Sequence, residues 1–103
     1  MTARFYFQNI KEPDKRLLEK YFHEKKFARL QKLLRHGSFE LAKFAVSAKY
    51  HQRHDVFVVR LGLNFAKNDL AAEEKSGSLP EAFDLSFDRI ISQLRKVESK
   101  AHE

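Results

Sequence analysis

The chain has 103 residues, a formal net charge of +6 and an apolar fraction of 43%. This length and composition predict one folded domain over residues 1–103, with a single core, and argue against intrinsic disorder. The sequence contains no cysteine, which excludes disulfides and thiolate metal ligands. It has no stretch of ~20 apolar residues and no apolar start of signal-peptide length, so we expect a cytoplasmic protein that does not contact a membrane. The positive charge predicts an anionic partner.

The first two predicted elements are a strand and a long helix. Residues 4–10 predict a strand because Phe5 and Phe7 alternate with more polar residues. A helical pattern then begins near Pro13, a residue that a first helical turn tolerates, and runs to about residue 36, before a glycine.

The apolar side of this helix changes direction in its middle. At ~100° per residue, the stripe that ends at Phe22 and the stripe that begins at Phe27 lie about a third of a turn or more apart. Removing one residue between His23 and Lys26 would bring the two stripes into register. We therefore predict a π-bulge, a kink or a brief break at this point.

Three strands and a second helix complete the predicted elements. Residues 41–51 and 55–66 carry apolar side chains at every second position, and a third strand follows over 70–76. Short polar turns join these strands into an antiparallel meander. The sequence SLPE, at 78–81, begins a helix whose single apolar stripe continues to Val97.

The element order is therefore β-α-β-β-β-α. The helical crossover after the first strand requires parallel pairing of that strand, and both helices have one apolar stripe to place on the same sheet face. This predicts an α+β fold, a two-layer sandwich of a four-stranded sheet with two helices on one face, similar to double-stranded-RNA-binding domains. Residues 98–103 are expected to form a short C-terminal tail.

Basic residues are concentrated in one part of the chain. Residues 25–60 hold nine Lys and Arg against two acids, whereas residues 69–88 hold six acids against one lysine. No carboxylate interrupts the stretch KKFARLQKLLRHG, residues 25–37. This asymmetry predicts a molecule with one strongly basic side.

The bases of the two helices form the candidate binding site. Spacings of four, three and four place Lys25, Arg29, Lys32 and His36 on one outer face of the first helix, and further bases share one flank of the last helix. A patch of this size suits a row of RNA phosphates, although a merely solvated helix face is the alternative interpretation. The predicted RNA-binding residues are Lys25, Lys26, Arg29, Lys32, His36, Arg89, Lys96 and Lys100.

The turn after the second strand carries His51, Arg53 and His54, which are candidates for additional phosphate contacts. His51, His54 and Asp55 leave open a metal-dependent hydrolase, but no further ligand has the spacing of a zinc motif. The chain also lacks a glycine-rich phosphate loop and a nucleophile elbow. We therefore expect no enzyme activity, no cofactor, no metal ion and no small-molecule substrate.

Single-stranded RNA is commonly read by aromatic side chains on an open sheet face. The alternation of the strands places only Tyr6 there as a clear aromatic candidate. Recognition of structured RNA by the helices is the interpretation that these residues favour.

Four segments resemble the ribosome hibernation-promoting factor family, which includes ribosome-associated inhibitor A. They are KKFARLQKLLRH, VSAKYHQRHDVFVVRLGLNF, LAAEEKSGSLPEAFD and DRIISQLRK, and the similarity runs from about residue 4 to residue 97. The resemblance implies the β-α-β-β-β-α fold and binding to the small ribosomal subunit between head and body. It implies a stress-response role, in which messenger and transfer RNA are excluded and idle ribosomes are protected.

The resemblance also implies residue roles. The family's basic positions, which would clamp ribosomal RNA phosphates, match Lys25, Lys26, Arg29, Lys32, Arg89 and Lys96. Ser92 stands where many members have a base, and the surplus residue near 23–26 is an insertion relative to the usual first helix. A short-form member is expected, monomeric off the ribosome.

Two alternatives from other classes stay open at this point. One is a general structured-RNA binder of the same fold, which would bind free duplex RNA as tightly as ribosomes. The other is a protein-binding regulator that uses the acidic side formed by residues 69–88.

Overall fold

The computed structural model describes residues 1–34 and 38–101, with side chains throughout these ranges except at 38 and 98–101. The strands are β1 (Thr2–Gln8), β2 (Lys43–His51), β3 (Val56–Phe65) and β4 (Asn68–Ser76). The helices are α1 (Glu12–Tyr21), α2 (Phe27–Leu33), α3 (Ser38–Leu41) and α4 (Leu79–Ala101), and a π-helical turn, Phe22–Lys26, joins α1 to α2. The predicted α+β class and element order are confirmed, with the one-turn helix α3 as an addition.

The four strands form one sheet in the order β1-β2-β3-β4. β1 pairs with β2 in parallel, as the helical crossover between them requires, and the other two pairings are antiparallel. The short turns between β2 and β3 and between β3 and β4 permit the antiparallel pairs.

The helices cover one face of the sheet, as the apolar stripes predicted. Alternate residues of β2 and β3, among them Phe44, Val46 and Leu61, are fully or almost fully buried against them. Phe22 lies at the centre, with its ring stacked 5.1 Å from that of Phe44. Among the side chains that the structure describes, Ser86 of α4 is the one polar group that is buried. Its hydroxyl donates to the Val59 carbonyl at 2.7 Å, so it fixes α4 against β3.

The irregularity predicted in the first helix is confirmed as the π-helical turn. The backbone N–H of Phe27 donates to the carbonyl of Phe22, five residues earlier, instead of four. The wider turn absorbs the surplus residue, and Phe22 and Phe27 thereby face the same core with perpendicular rings 6.2 Å apart.

Some boundaries differ from the sequence prediction. β2 begins at Lys43 instead of residue 41, because Leu41 belongs to α3, where it is 84% exposed. α4 continues to Ala101, so most of the segment expected to be a tail is helical. The first helix was predicted to run to about residue 36, but α2 ends at Leu33 and the backbone of Leu34 is no longer helical (φ −89°, ψ 86°). Residues 35–37 lie outside the described residues.

The two long helical segments run side by side in the same direction. Leu17 lies near Pro80 at their beginnings, the Tyr21 ring contacts that of Phe83, and Arg29 lies over the Phe87 ring further along. The C-terminal ends of α2 and α4 therefore lie at the same end of the molecule. The turn between β2 and β3 lies at the opposite end, beside the beginning of α1.

Candidate nucleic-acid interface

Lys25, Arg29 and Lys32 form one row on the outer surface of the helix layer, and we call them the helix row. Arg29 and Lys32 are exposed, and α2 contains no acidic residue. The guanidinium of Arg29 lies 6.0 Å from the centroid of the buried Phe87 ring, which is a cation–π distance. The helix row thus has the spacing and the single charge sign that the sequence predicted.

Lys26 belongs to the same basic stretch but lies in the packing between the helices. Its side chain is only 16% exposed, and its Nζ lies 3.3 Å from Oδ1 of Asp84 on α4. The same Nζ lies 5.4 Å from the Tyr21 ring centroid and 5.3 Å from that of Phe87. Much of its charge is therefore balanced within the fold before any ligand arrives.

Asp84 also holds Tyr21. The Tyr21 hydroxyl donates to Oδ1 of Asp84 at 2.7 Å. Partial burial, together with this hydrogen bond and the charges of Asp84 and Asp88, raises the pKa of Tyr21 to about 12. The carboxylates at the beginning of α4 thus belong to a network that joins α4 to the end of α1.

The predicted bases of α4 lie on a different flank from the helix row. Nη1 of Arg89 pairs with Oε1 of Glu74 at 2.8 Å, and Gln93 donates to the Ala71 carbonyl at 2.9 Å. This flank therefore faces the edge strand β4, on the side of α4 away from α2. Lys96 is exposed near the same flank.

Arg95, which the sequence analysis did not single out, lies on the flank that faces α2. Asp84, Asp88, Ile91 and Arg95 follow one another at intervals of four, three and four residues, so they share one face of α4. This face is directed towards the first helix, because Asp84 pairs with Lys26 at its π-helical turn. The helical spacing could have identified this residue. His36 lies outside the described residues, as does the side chain of Lys100.

The turn with His51, Arg53 and His54 is not joined to the helix row. Arg53 and His54 are exposed in the turn just before β3. The ten-residue strand β3 is about 33 Å long, and this turn lies at the end of the strand that is far from the C-terminal ends of α2 and α4. Asp55 accepts a hydrogen bond from the Tyr50 hydroxyl at 2.6 Å, which raises the pKa of Tyr50. Within residues 1–34 and 38–101, no group of three or more potential ligands could hold a metal ion.

The sheet surface that the helices leave uncovered, called the open face below, carries bases that the sequence analysis did not assign to a site. They are Arg4 of β1, Lys43 and Lys49 of β2, Arg60 of β3 and Lys75 of β4. The alternation of each strand indicated their direction, but the pairing that brings them together is a tertiary property.

No helix among the described residues is long and apolar enough to span a membrane.

The sequence of the chain matches a known family over almost its full length. Residues 8–102 match the model of the family described as Sigma 54 modulation protein / S30EA ribosomal protein. This match confirms the resemblance that the sequence indicated. No curated protein matches the chain in sequence.

Two solved structures are similar in fold. A ribosomal subunit interface protein from Coxiella burnetii superposes with a TM-score of 0.69 at 16% identity, over 96% of this chain and 99% of that chain. The N-terminal domain of Protein Y from Thermus thermophilus superposes with a TM-score of 0.71 at 16% identity, over 94% of this chain and 99% of that chain.

Proposed function

Because the chain belongs to the Sigma 54 modulation protein / S30EA ribosomal protein family, we propose that it binds the small ribosomal subunit in the decoding region. Bound there, it would inhibit translation and stabilise idle ribosomes in the cytoplasm. Residues 1–103 would act as one ribosome-binding domain, monomeric off the ribosome, without catalysis or a cofactor. The name of the Coxiella burnetii neighbour, a ribosomal subunit interface protein, supports a ribosomal partner.

The observation that carries this proposal is the helix row. Three exposed bases with a spacing of four and three run from the π-helical turn (Lys25) along α2 (Arg29 and Lys32), and α2 itself has no acidic residue. Arginine donates paired hydrogen bonds to phosphate oxygens and lysine supplies a compact charge, so the row suits an RNA backbone.

Co-sedimentation with purified small ribosomal subunits tests the proposal. We expect stoichiometric pelleting that is lost when messenger RNA and initiator transfer RNA are bound first, because the ligands would compete for one region. Pelleting that is unaffected by these RNAs would contradict a decoding-region site. Equally tight binding to free duplex RNA would indicate a general structured-RNA binder instead.

A matched pair of triple variants tests the residues. The helix-row variant is Lys25→Gln, Arg29→Gln and Lys32→Gln, and its control, on α1 and the residue before it, is Lys11→Gln, Arg16→Gln and Lys20→Gln. Both variants remove the same charge, but only the helix-row variant should weaken binding, by about 10-fold or more. It should also lower the slope of log affinity against log salt by up to ~0.9 for each phosphate contact that is lost. Unchanged affinity of a folded helix-row variant would contradict this face, and it is the result expected of a protein-binding regulator that uses residues 69–88.

A further inference from the structure

The open face is more uniformly basic than the helix layer. The strand pairing aligns Arg4 with Ala45, Gly62 and Ala71 in one row, and Tyr6 with Ser47, Arg60 and Glu73 in the next. On the outward side of β1, β2 and β3, all three within the described residues, four bases occur and no carboxylate. Acids occur only on the edge strand β4, where Asp69 and Glu73 accompany Lys75.

These bases are not neutralised within the fold. Among the residues that the structure describes, the ion pairs involve α1, the π-helical turn, α4 and the inward side of β4 and none of the open-face bases. Even Arg60, which lies directly opposite Glu73, makes no ion pair with it. Four uncompensated charges on β1–β3 therefore act together on whatever approaches this surface.

The surface shape of the open face suits a flexible polyanion such as a single-stranded nucleic acid. A depression of ≈ 450 Å³ lies between Tyr6, Lys49 and Arg60, with Glu73 of β4 at its edge. A second depression, of ≈ 390 Å³, lies over Gly62 beside Arg4 and Lys43, with Asp69 of β4 at its edge. Tyr6 is 54% exposed and stands at the rim of the first depression, where its ring is available for stacking.

A protein partner fits this surface less well than a nucleic acid. The core of a protein–protein interface is apolar and depleted in charge. Among the described residues, Tyr6 is the only large exposed hydrophobic side chain on the open face, because Leu17, Leu41 and Leu85 belong to helices. Bases spaced around shallow depressions, with one aromatic ring, are instead typical of surfaces that bind single-stranded nucleic acid.

We propose that the open face binds a second, single-stranded stretch of RNA, with phosphates on Arg4, Lys49 and Arg60 and a base stacked on Tyr6. This inference rests on the proposed function and extends it. The helix row holds one RNA segment and the open face holds another, so the domain is bound between two RNA surfaces. RNA contacts on both the helix row and the open face would hold the domain more firmly than contacts on one face alone.

A charge-matched comparison tests the proposal with purified small ribosomal subunits. The open-face variant is Arg4→Gln, Lys49→Gln and Arg60→Gln, and the α1-side triple described above serves as its control. We expect the open-face variant to bind about 10-fold more weakly or worse and the control to change less than about 2-fold. Circular dichroism and thermal unfolding verify that each variant is folded, and Tyr6→Ala, which changes no charge, should by itself weaken binding about 5-fold or more.

Single cysteines give a direct readout, because the chain has none of its own. An iron chelate on Ser47→Cys reports on the open face, and one on Gln31→Cys, an exposed position of α2, reports on the helix layer. Hydroxyl-radical cleavage should occur in two different segments of ribosomal RNA. Cleavage from Gln31→Cys alone, with unchanged affinity of the open-face triple, would overturn this inference while leaving the proposed function intact.

Other outcomes identify other partners. Crosslinks from Ser47→Cys to a ribosomal protein instead of RNA would replace the proposed ligand by a protein. Dimers of the free wild-type chain that the open-face triple abolishes would assign this surface to a second copy. If the wild-type chain does not pellet with small subunits at all, the proposed function fails, and this inference fails with it.

Discussion

The helix layer and the open face use their basic residues in different ways. In the helix layer, Lys15 pairs with Glu12, Lys26 with Asp84, and Arg89 with Glu74 of the adjoining strand. On the open face, Arg4, Lys43, Lys49 and Arg60 have no ion-pair partner among the described residues. The number of bases in the sequence therefore overestimates the positive electrostatic field of the helix layer and underestimates that of the open face.

The pairs of the helix layer have a local purpose. Lys26 and Tyr21 share Asp84, so the carboxylate holds the end of α1 and the π-helical turn against α4. Exposed pairs such as Lys15 with Glu12 contribute little to stability, but they cancel charge wherever they form. The open face is the region where, among the described residues, no ion pair cancels the positive charge of Arg4, Lys43, Lys49 and Arg60.

The two long helical segments of the helix layer differ in regularity, and deletions test this difference with the largest expected effect. Deleting Ser92, an exposed residue in the regular helix α4, moves the fully buried Leu94 out of register and should lower the free energy of unfolding by about 2–5 kcal/mol or unfold the chain. Deleting Glu24, which is exposed in the π-helical turn, removes the surplus residue. This deletion should change the free energy of unfolding by about 1 kcal/mol at most.

Urea unfolding followed by circular dichroism measures both deletions. Equal destabilisation by the two deletions would show that the π-helical turn is required for packing and does not merely accommodate an extra residue.

The second prediction compares one carboxylate from each face. Asp84→Ala removes the acceptor that the part-buried Lys26 and Tyr21 share, and should lower the free energy of unfolding by about 1–3 kcal/mol. Glu73→Ala on the open face removes no ion pair and should change it by less than ~0.5 kcal/mol. The same urea experiment applies, and a loss from Glu73→Ala as large as that from Asp84→Ala would contradict the distinction between paired and unpaired faces.

The sequence predicts the elements better than the partners of individual side chains. The strands and the irregularity near His23 were predictable because the spacing of buried residues is a local property with a fixed period. The pairing of Lys26 with Asp84 was not, because it joins residues far apart in the sequence and depends on how α4 packs beside the π-helical turn. Lys26 therefore looked equivalent to Lys25 in the sequence and is not equivalent in the structure.

The open face was missed for a related reason. The alternation of β1 and β3 already placed Arg4 and Arg60 on the solvent side. Their combination with Lys49 into one basic surface, without a carboxylate on β1–β3, required the strand order and the register of two pairings. The bases of a helix face lie close together in the sequence, whereas the bases of a sheet face come from several strands. A charge pattern in the sequence therefore indicates a basic helix more readily than a basic sheet surface.

The third prediction concerns pH and is specific to the helix layer. The pKa of Tyr21 is raised from 10.0 to about 12, so the folded state holds this proton more tightly than the unfolded state. The stabilisation linked to this proton is fully present below pH 10 and is lost as the pH rises from 10 to about 12. Tyr21→Phe should abolish the Tyr21-linked part of the decline in unfolding free energy over this range.

Two measurements follow the Tyr21 titration. Urea midpoints across this range give the pH dependence of stability, and phenolate absorbance should lose a step near pH 12 in Tyr21→Phe. An unchanged absorbance titration in the variant would contradict the assignment of this step to Tyr21.

The last prediction concerns Gly62, in the middle of the open face. A Cβ added to Gly62 would meet nothing closer than the Leu70 carbonyl oxygen, at 3.9 Å, so the fold itself does not require glycine there. Glycine weakens a strand interior, and its presence often marks a place where a ligand approaches the backbone. Gly62→Val should therefore raise the free energy of unfolding by about 0.5–1 kcal/mol.

The same substitution should act in the opposite direction on binding. A valine side chain would fill part of the depression of ≈ 390 Å³ between Arg4 and Lys43 and should weaken binding to small ribosomal subunits several-fold. Gly77→Val is the control, because a Cβ at Gly77 meets no neighbour within 4 Å and Gly77 does not line this depression. A more stable Gly62→Val protein with wild-type affinity would mean that the RNA does not enter this depression, and the ligand path would then be confined to the region around Tyr6 and Arg60.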